Sequence, residues 1–178
     1  MGSSPNEYRS KSISEILGEL AIKIYSPPLS TLRDDLRSIP EELRIPILII
    51  DFDTAVQMNG ILGFLENSTG LYLLDTIDVF EAIGASRTAN ILRTIRRIMS
   101  DCGITVEQLR EDFANVEEHQ ITSFSKLHGE KATQMAELID HEADKLYVYD
   151  HSSEAVFDLL EHYLESRRDR FIALVENL

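Results

Sequence analysis

The spacing of apolar residues is what constrains this chain most, and that spacing is helical. Ile13, Ile16, Leu17, Leu20 and Ile24 recur every three or four positions, which gathers them on one helix face and would scatter them over both faces of a strand. Ser12 and Glu15 stand ahead of them in S-x-x-E form, the capping box that satisfies free backbone amides at a helix start. Pro27-Pro28 stops that helix. Residues 29–38 predict a second, short helix with Leu29, Leu32 and Leu36 inward. Pro40 and Pro46 both read as first-turn prolines, where the missing amide costs nothing. A helix over 46–58 then follows from Ile47, Ile50, Ala55 and Met58, although Ile47–Ile50 alone fits a short buried strand equally well.

Asn59-Gly60 punctuates the chain, and Ile61, Leu62, Phe64 and Leu65 form a short apolar helix closed by the turn residues Asn67 to Gly70. A helix over 71–83 ends at Gly84, which is free to take positive φ. Ser86 is expected to cap the next helix, which carries Ala89, Leu92, Ile95, Arg96 and Met99 and ends at Gly103. Thr105 starts another, with Val106, Leu109 and Phe113. Residues 115–128 read as a helix of uncertain length. Residues 130–149 form a clear one, with Ala132, Met135, Leu138, Ile139 and Leu146 inward. Ser152 or Ser153 caps a long terminal helix that turns Val156, Phe157, Leu160, Tyr163, Leu164, Phe171 and Leu174 inward. The pattern predicts an all-α fold, a compact single-domain bundle of roughly eight or nine helices.

Charge narrows the function classes. The chain holds 31 acids and 17 bases, net −14. Direct nucleic-acid binding rests on Lys and Arg displacing counterions from phosphates, so no direct nucleic-acid partner is expected. The excess is concentrated: residues 1–100 carry 13 acids and 10 bases, residues 101–178 carry 18 and 7. The single cysteine, Cys102, excludes an intramolecular disulfide and a multi-Cys zinc site and suits a reducing, cytoplasmic compartment. No apolar run approaches the ~20 residues of a membrane span, and the first residues lack the basic-then-apolar order of a signal peptide. No membrane partner is expected.

Two segments carry a resemblance. Asp53-Thr-Ala-Val-Gln-Met-Asn-Gly-Ile-Leu-Gly-Phe-Leu-Glu-Asn-Ser-Thr-Gly70 is similar to a family hallmark that reads roughly E-V-x-N-G-G-F-x-Q-F-F-x-N-S-S-G, and Phe80-Glu-Ala-Ile-Gly-Ala-Ser-Arg-Thr-Ala-Asn-Ile-Leu92 to the same family's A-I-G-A-x-x-x-A-x-I-L run. The family is the DNA-mimic protein nineteen-like domain of bacteria. The two pieces lie in the family's order within a stretch of about 40 of the 178 residues. Val56, Gly60, Phe64, Asn67, Ser68 and Gly70 are kept, and Gly84 belongs to the second run. The family's acid falls at Ala55, the first two residues of its N-G-G at Met58 and Asn59, and its Gln at Gly63. The resemblance implies a small helical protein, often acidic, one type of which presents carboxylates in imitation of the DNA backbone and so blocks a repressor. It places a family-like core at 46–100 and acidic helices at 105–178 within one domain (12–178), behind a flexible N-terminus at 1–11.

The residues themselves point to the same kind of chemistry. Glu154, Asp158, Glu161 and Glu165 step by four, three and four, and Glu137, Asp140 and Asp144 by three and four. Each set lines one helix side, where like charges repel by ~0.2–0.5 kcal/mol per pair. These seven acids are the candidate partner-binding residues, and a solvated helix face is the plain alternative. Glu137, His141 and Asp144 share a face but lack the convergence and outer shell of a metal site, so neither metal nor cofactor is expected. No nucleophile elbow, P-loop or dinucleotide motif occurs. Cys102, beside Asp101 at a helix end, lacks the electropositive setting of a catalytic thiol and reads as a small, partly buried hydrophobe. Asp51 and Asp53 are two apart on a helix and diverge, so they cannot act as an acid–base pair. The expected protein is a non-enzymatic binder, monomer or homodimer. Its partner is a basic DNA-binding protein or, as an immunity protein would have, a cognate toxin.

Overall fold

The computed structural model describes residues 8–115, 123–151 and 153–178. All regular structure among them is helical. The helices are α1 (Ile13–Lys23), α2 (Leu29–Leu32), α3 (Glu41–Glu66), α4 (Leu73–Ala82), α5 (Ser86–Cys102), α6 (Val106–Ala114), α7 (Phe124–Ala143), α8 (Val156–Glu165) and α9 (Arg168–Val175). Short 3-10 turns at Tyr8–Ser10, Arg33–Ser38 and Ser68–Tyr72 complete the set. The chain divides into two compact units, Met1–Asp51 with Val156–Leu178, and Phe52–Ala155.

The first unit starts on the expected capping box. The Glu15 amide donates to Ser12 Oγ at 3.2 Å, and the Ser12 amide to Glu15 Oε2 at 2.7 Å. Ile13, Ile16, Leu17, Leu20 and Ile24 are buried, α8 packs on α1, and Leu29 and Leu36 are buried beyond the prolines. The helix expected at 46–58 begins earlier. The Pro40 carbonyl accepts from the Leu43 and Arg44 amides, so α3 starts at Glu41 and Pro46 lies inside it. Pro46 has no amide to offer the Glu42 carbonyl one turn back. The helix survives because Ile45, Ile47, Leu48, Ile49 and Ile50 are all buried around it, and packing on every side offsets one lost hydrogen bond. The same all-round burial decides the helix-or-strand question at Ile47–Ile50. By length and composition α3 has an 18-residue window apolar enough to cross a membrane, but 61% of that window is buried inside the protein.

The long terminal helix is in fact two. Ser166 Oγ and Arg167 Nη1 both donate to the Tyr163 carbonyl, at 2.7 and 3.3 Å, and the Arg167 guanidinium stacks 3.9 Å over the Tyr163 ring. Side chains that capture a helix carbonyl compete with its continuation. After this break α9 turns Phe171 and Ile172 into the core, while Phe157, expected inside, is 36% exposed and Leu174 is half-buried.

The second unit is built on Phe52, Phe64 and Phe80. Their rings meet edge to face at 5.0 and 5.2 Å and all are buried. Such pairs contribute ~0.5–1.5 kcal/mol beyond the area they bury. α4 and α7 pack against α5, whose Ala89, Leu92 and Ile95 are fully buried. Gly60, at φ 71° and ψ 177°, breaks α3 where the sequence predicts a break. That break carries Asn59 close to Gly63: a β-carbon on Gly63 would lie 2.3 Å from the Asn59 β-carbon. Gly70 is held just as closely, since its β-carbon would stand 2.4 Å from the Leu65 carbonyl oxygen. Gly84 takes φ 87° after α4, and the Ala85 amide reaches back to the Phe80 carbonyl. Thr105 and Gln108 form a reciprocal cap at the start of α6.

Residues 130–149 depart from expectation. α7 begins at Phe124, bends at Gly129 (φ 85°) and ends at Ala143. Beyond it the chain turns so that Leu146 and Tyr147 are buried, and the Tyr147 hydroxyl donates to Asp53 Oδ1 at 2.9 Å. A straight continuation of α7 would forgo that bond. Leu138, expected inside, is 55% exposed. The uncertain stretch 115–128 is helical from Phe124 onward; residues 116–122, and Ser152, lie outside the described residues.

Candidate partner-binding surface

The acidic row of the second unit stands on the last turns of α7 and its C-terminal cap, Asp144. Glu137, Asp140 and Asp144 are exposed, and none takes part in an ion pair among the described residues. Acids one turn apart lie ~5–6 Å from each other, and Asp140 feels its neighbour. Burial, and after it the Asp144 charge, raises the Asp140 carboxyl above its ordinary range. Tyr149, 47% exposed, responds to the same field: burial and then the Asp140 and Asp144 charges raise its hydroxyl, with the Ile61 backbone acting in the opposite sense. Its oxygen lies 3.9 Å from where a Gly60 β-carbon would stand. The row therefore borders the break in α3. No sequence signal marks Tyr149, because only the turn after Ala143 brings it there.

Glu154 does not belong to a row. It precedes α8 rather than standing on it. Its Oε1 accepts from the Arg87 amide at 3.1 Å, and its Oε2 accepts from the Thr88 amide at 2.9 Å and the Thr88 hydroxyl at 2.6 Å. Glu154 thus caps α5 from 66 residues away. Ser86, expected to cap, is instead the first residue of the helix. A carboxylate at a helix N-terminus answers both the free amides and the dipole.

Asp158, Glu161 and Glu165 stand on α8 in the first unit. Together with Ser12, Ile13, His162 and Arg168 they line an open groove of about 480 Å³. Glu165 is paired with Arg168 at 2.9 Å, which leaves Asp158 and Glu161 as the acids without an ion pair among the described residues. The basic cluster beside them is engaged locally, although Arg167 and Arg170 stay exposed. Arg168 reaches the Lys11 carbonyl, Arg170 pairs with Glu42 at 3.1 Å, and Arg167 covers Tyr163.

Candidate chemistry elsewhere is spoken for by structure. Asp51 accepts from Tyr25, and Asp53 from Tyr147 and Gln57. Burial raises the Asp53 carboxyl despite both of its hydrogen bonds, and burial followed by the Asp53 charge raises Tyr147 well above its ordinary value. Among the described residues no three His, Cys, Asp or Glu side chains converge as metal ligands, Glu137, His141 and Asp144 included. Cys102 is partly buried. Sequence reasoning missed His128. Its ring, with 1% of the side chain exposed, holds Glu66 Oε1 at 2.6 Å on Nε2 and Asp112 Oδ2 at 2.9 Å on Nδ1. It ties α3, α6 and α7 together, and no local pattern links three residues so far apart in the chain.

Of the motif residues, Val56 and Phe64 are core, Gly60, Gly70 and Gly84 shape turns, and Asn67 opens the 3-10 turn with its carbonyl taking the Gly70 amide at 3.0 Å. Comparison with known proteins agrees with this pattern: the sequence model of the DMP19-like protein family matches residues 37–167. No curated protein and no solved structure matches the chain.

Proposed function

Because the chain belongs to the DMP19-like protein family, and because it keeps a row of acids that form no ion pair among the described residues, we propose that it is a non-enzymatic acidic protein that covers the basic, DNA-binding surface of a partner protein. The carrying observation is the contrast on α7. Glu142 is paired with Lys145 at 2.6 Å, while Glu137 and Asp140 on the same helix and Asp144 at its C-terminal cap have no such partner among the described residues. A row of carboxylates about one helical turn apart presents a basic groove with charges spaced as regularly as those of a phosphate backbone. Complementary charge speeds encounter and fixes register, while a few buried contacts supply most of the affinity. Asp158 and Glu161 form a second, smaller acidic face of the same character.

The test is charge reversal on the partner captured at low salt and eluted by raising salt. Asp140→Lys with Asp144→Lys should slow association sharply at low salt. Asp78→Lys with Asp101→Lys makes the same charge change at exposed positions outside the rows and should slow it far less. Equal rates for the two double variants would reduce the acidic row to a solvated surface.

A further inference from the structure

The second unit carries 18 acids and eight bases, and four of those bases, Arg87, Arg93, Arg96 and Arg97, are on α5. Two of the four are occupied. Arg87 pairs with Asp150 at 3.3 Å and Arg93 with Glu81 at 3.0 Å. Arg96 is exposed and forms no ion pair among the described residues. It lines a groove of about 300 Å³ whose walls include Leu71, Leu74, Met99 and Val106. Glu107 also lines the groove and stands in the first turn of α6, where its charge complements the helix start. Arg96 is therefore the groove's cation, and Glu107 is an acid in the same lining.

Leu71 and Leu74 are 41% and 49% exposed. A small molecule held within the groove would leave these lips wet, whereas a polypeptide lying across them would cover both. Apolar side chains at a cavity mouth with one cation beside them select an apolar residue next to a carboxylate. We propose that this groove docks an acidic, apolar peptide segment of a partner protein. An apolar side chain of that segment enters between Leu74 and Met99, and its neighbouring carboxylate pairs with Arg96. The charge preference is opposite to that of the α7 row, so this is a separate docking face.

The experiment is selection of a random displayed peptide library on the intact protein, in parallel with its Arg96→Glu and Leu74→Ser variants. Both positions are exposed, and an unchanged helical circular dichroism spectrum verifies that the variants fold. The proposal expects enriched peptides that carry Leu or Phe beside Asp or Glu. Their binding should fall about tenfold or more in each variant, and Arg96→Glu should shift the selected charge away from acidic. Peptides that are uniformly basic, or whose binding ignores both substitutions, overturn it. Self-association of the protein that both substitutions abolish would make a second copy the occupant and equally overturn it.

Discussion

Asn59 and Gly63 are locked in a single packing arrangement: with α3 broken at Gly60, a β-carbon at position 63 would stand 2.3 Å from the Asn59 β-carbon. The two positions are also where this chain departs from the hallmark it resembles, which has glycine at the first and glutamine at the second. The structure makes these one change rather than two. A side chain at 59 requires none at 63, and the family's pattern is the reverse solution.

Gly63→Gln alone should therefore destabilise by ~1–3 kcal/mol through overpacking. In an Asn59→Gly background it should cost less, with a coupling of at least ~0.5 kcal/mol in a double-mutant cycle. Urea unfolding of the four proteins measures it, and additive effects would disprove the coupling.

The phenylalanine cluster and α5 should be the most sensitive part of the second unit. Phe64→Ala is expected to lose ~3–5 kcal/mol and Leu92→Ala ~2–5 kcal/mol, since both are buried. Chemical denaturation of each variant gives the values directly.

Glu154→Ala should cost about 1 kcal/mol, the ordinary value of a lost N-cap, because α5 then starts without an acceptor. It should leave partner association nearly unchanged. A variant that folds with full stability and binds poorly would return Glu154 to the binding surface.

Asp140→Asn should act in the other direction. The folded-state pKa of Asp140 is raised, so its charge opposes folding above that pKa and the penalty disappears as pH falls through it. The variant should be more stable at neutral pH by ~0.2–0.5 kcal/mol. The gain should vanish once pH falls below the ordinary aspartate range. Thermal melts at neutral and acid pH separate these outcomes.

What was legible in the sequence was what rests on local pattern. The capping box at Ser12, the helix start at Thr105, the turn glycines at 60, 70 and 84 and the apolar faces of α1 and α5 depend on neighbours within a few residues. What was not legible depends on distant groups. Pro46 looked like a helix start because nothing local announces that α3 is buried all round. The break at Ser166 and Arg167 needs the Tyr163 carbonyl and ring, and the end of α7 needs Asp53 to receive Tyr147. Glu154 kept perfect helical spacing with Asp158, yet it is held by Arg87 and Thr88. His128 gave no signal at all, since Glu66 and Asp112 reach it only after three helices meet.

Mutual exclusion on the captured partner tests the central claim most directly. Fluorescence anisotropy of a labelled duplex bound to that partner is followed as this protein is added. If its acidic surface covers the DNA-binding face, the anisotropy falls to that of free duplex, and the wild type displaces DNA at lower concentration than the Asp140→Lys, Asp144→Lys variant. A ternary complex, with duplex still bound at saturating protein, would contradict the account.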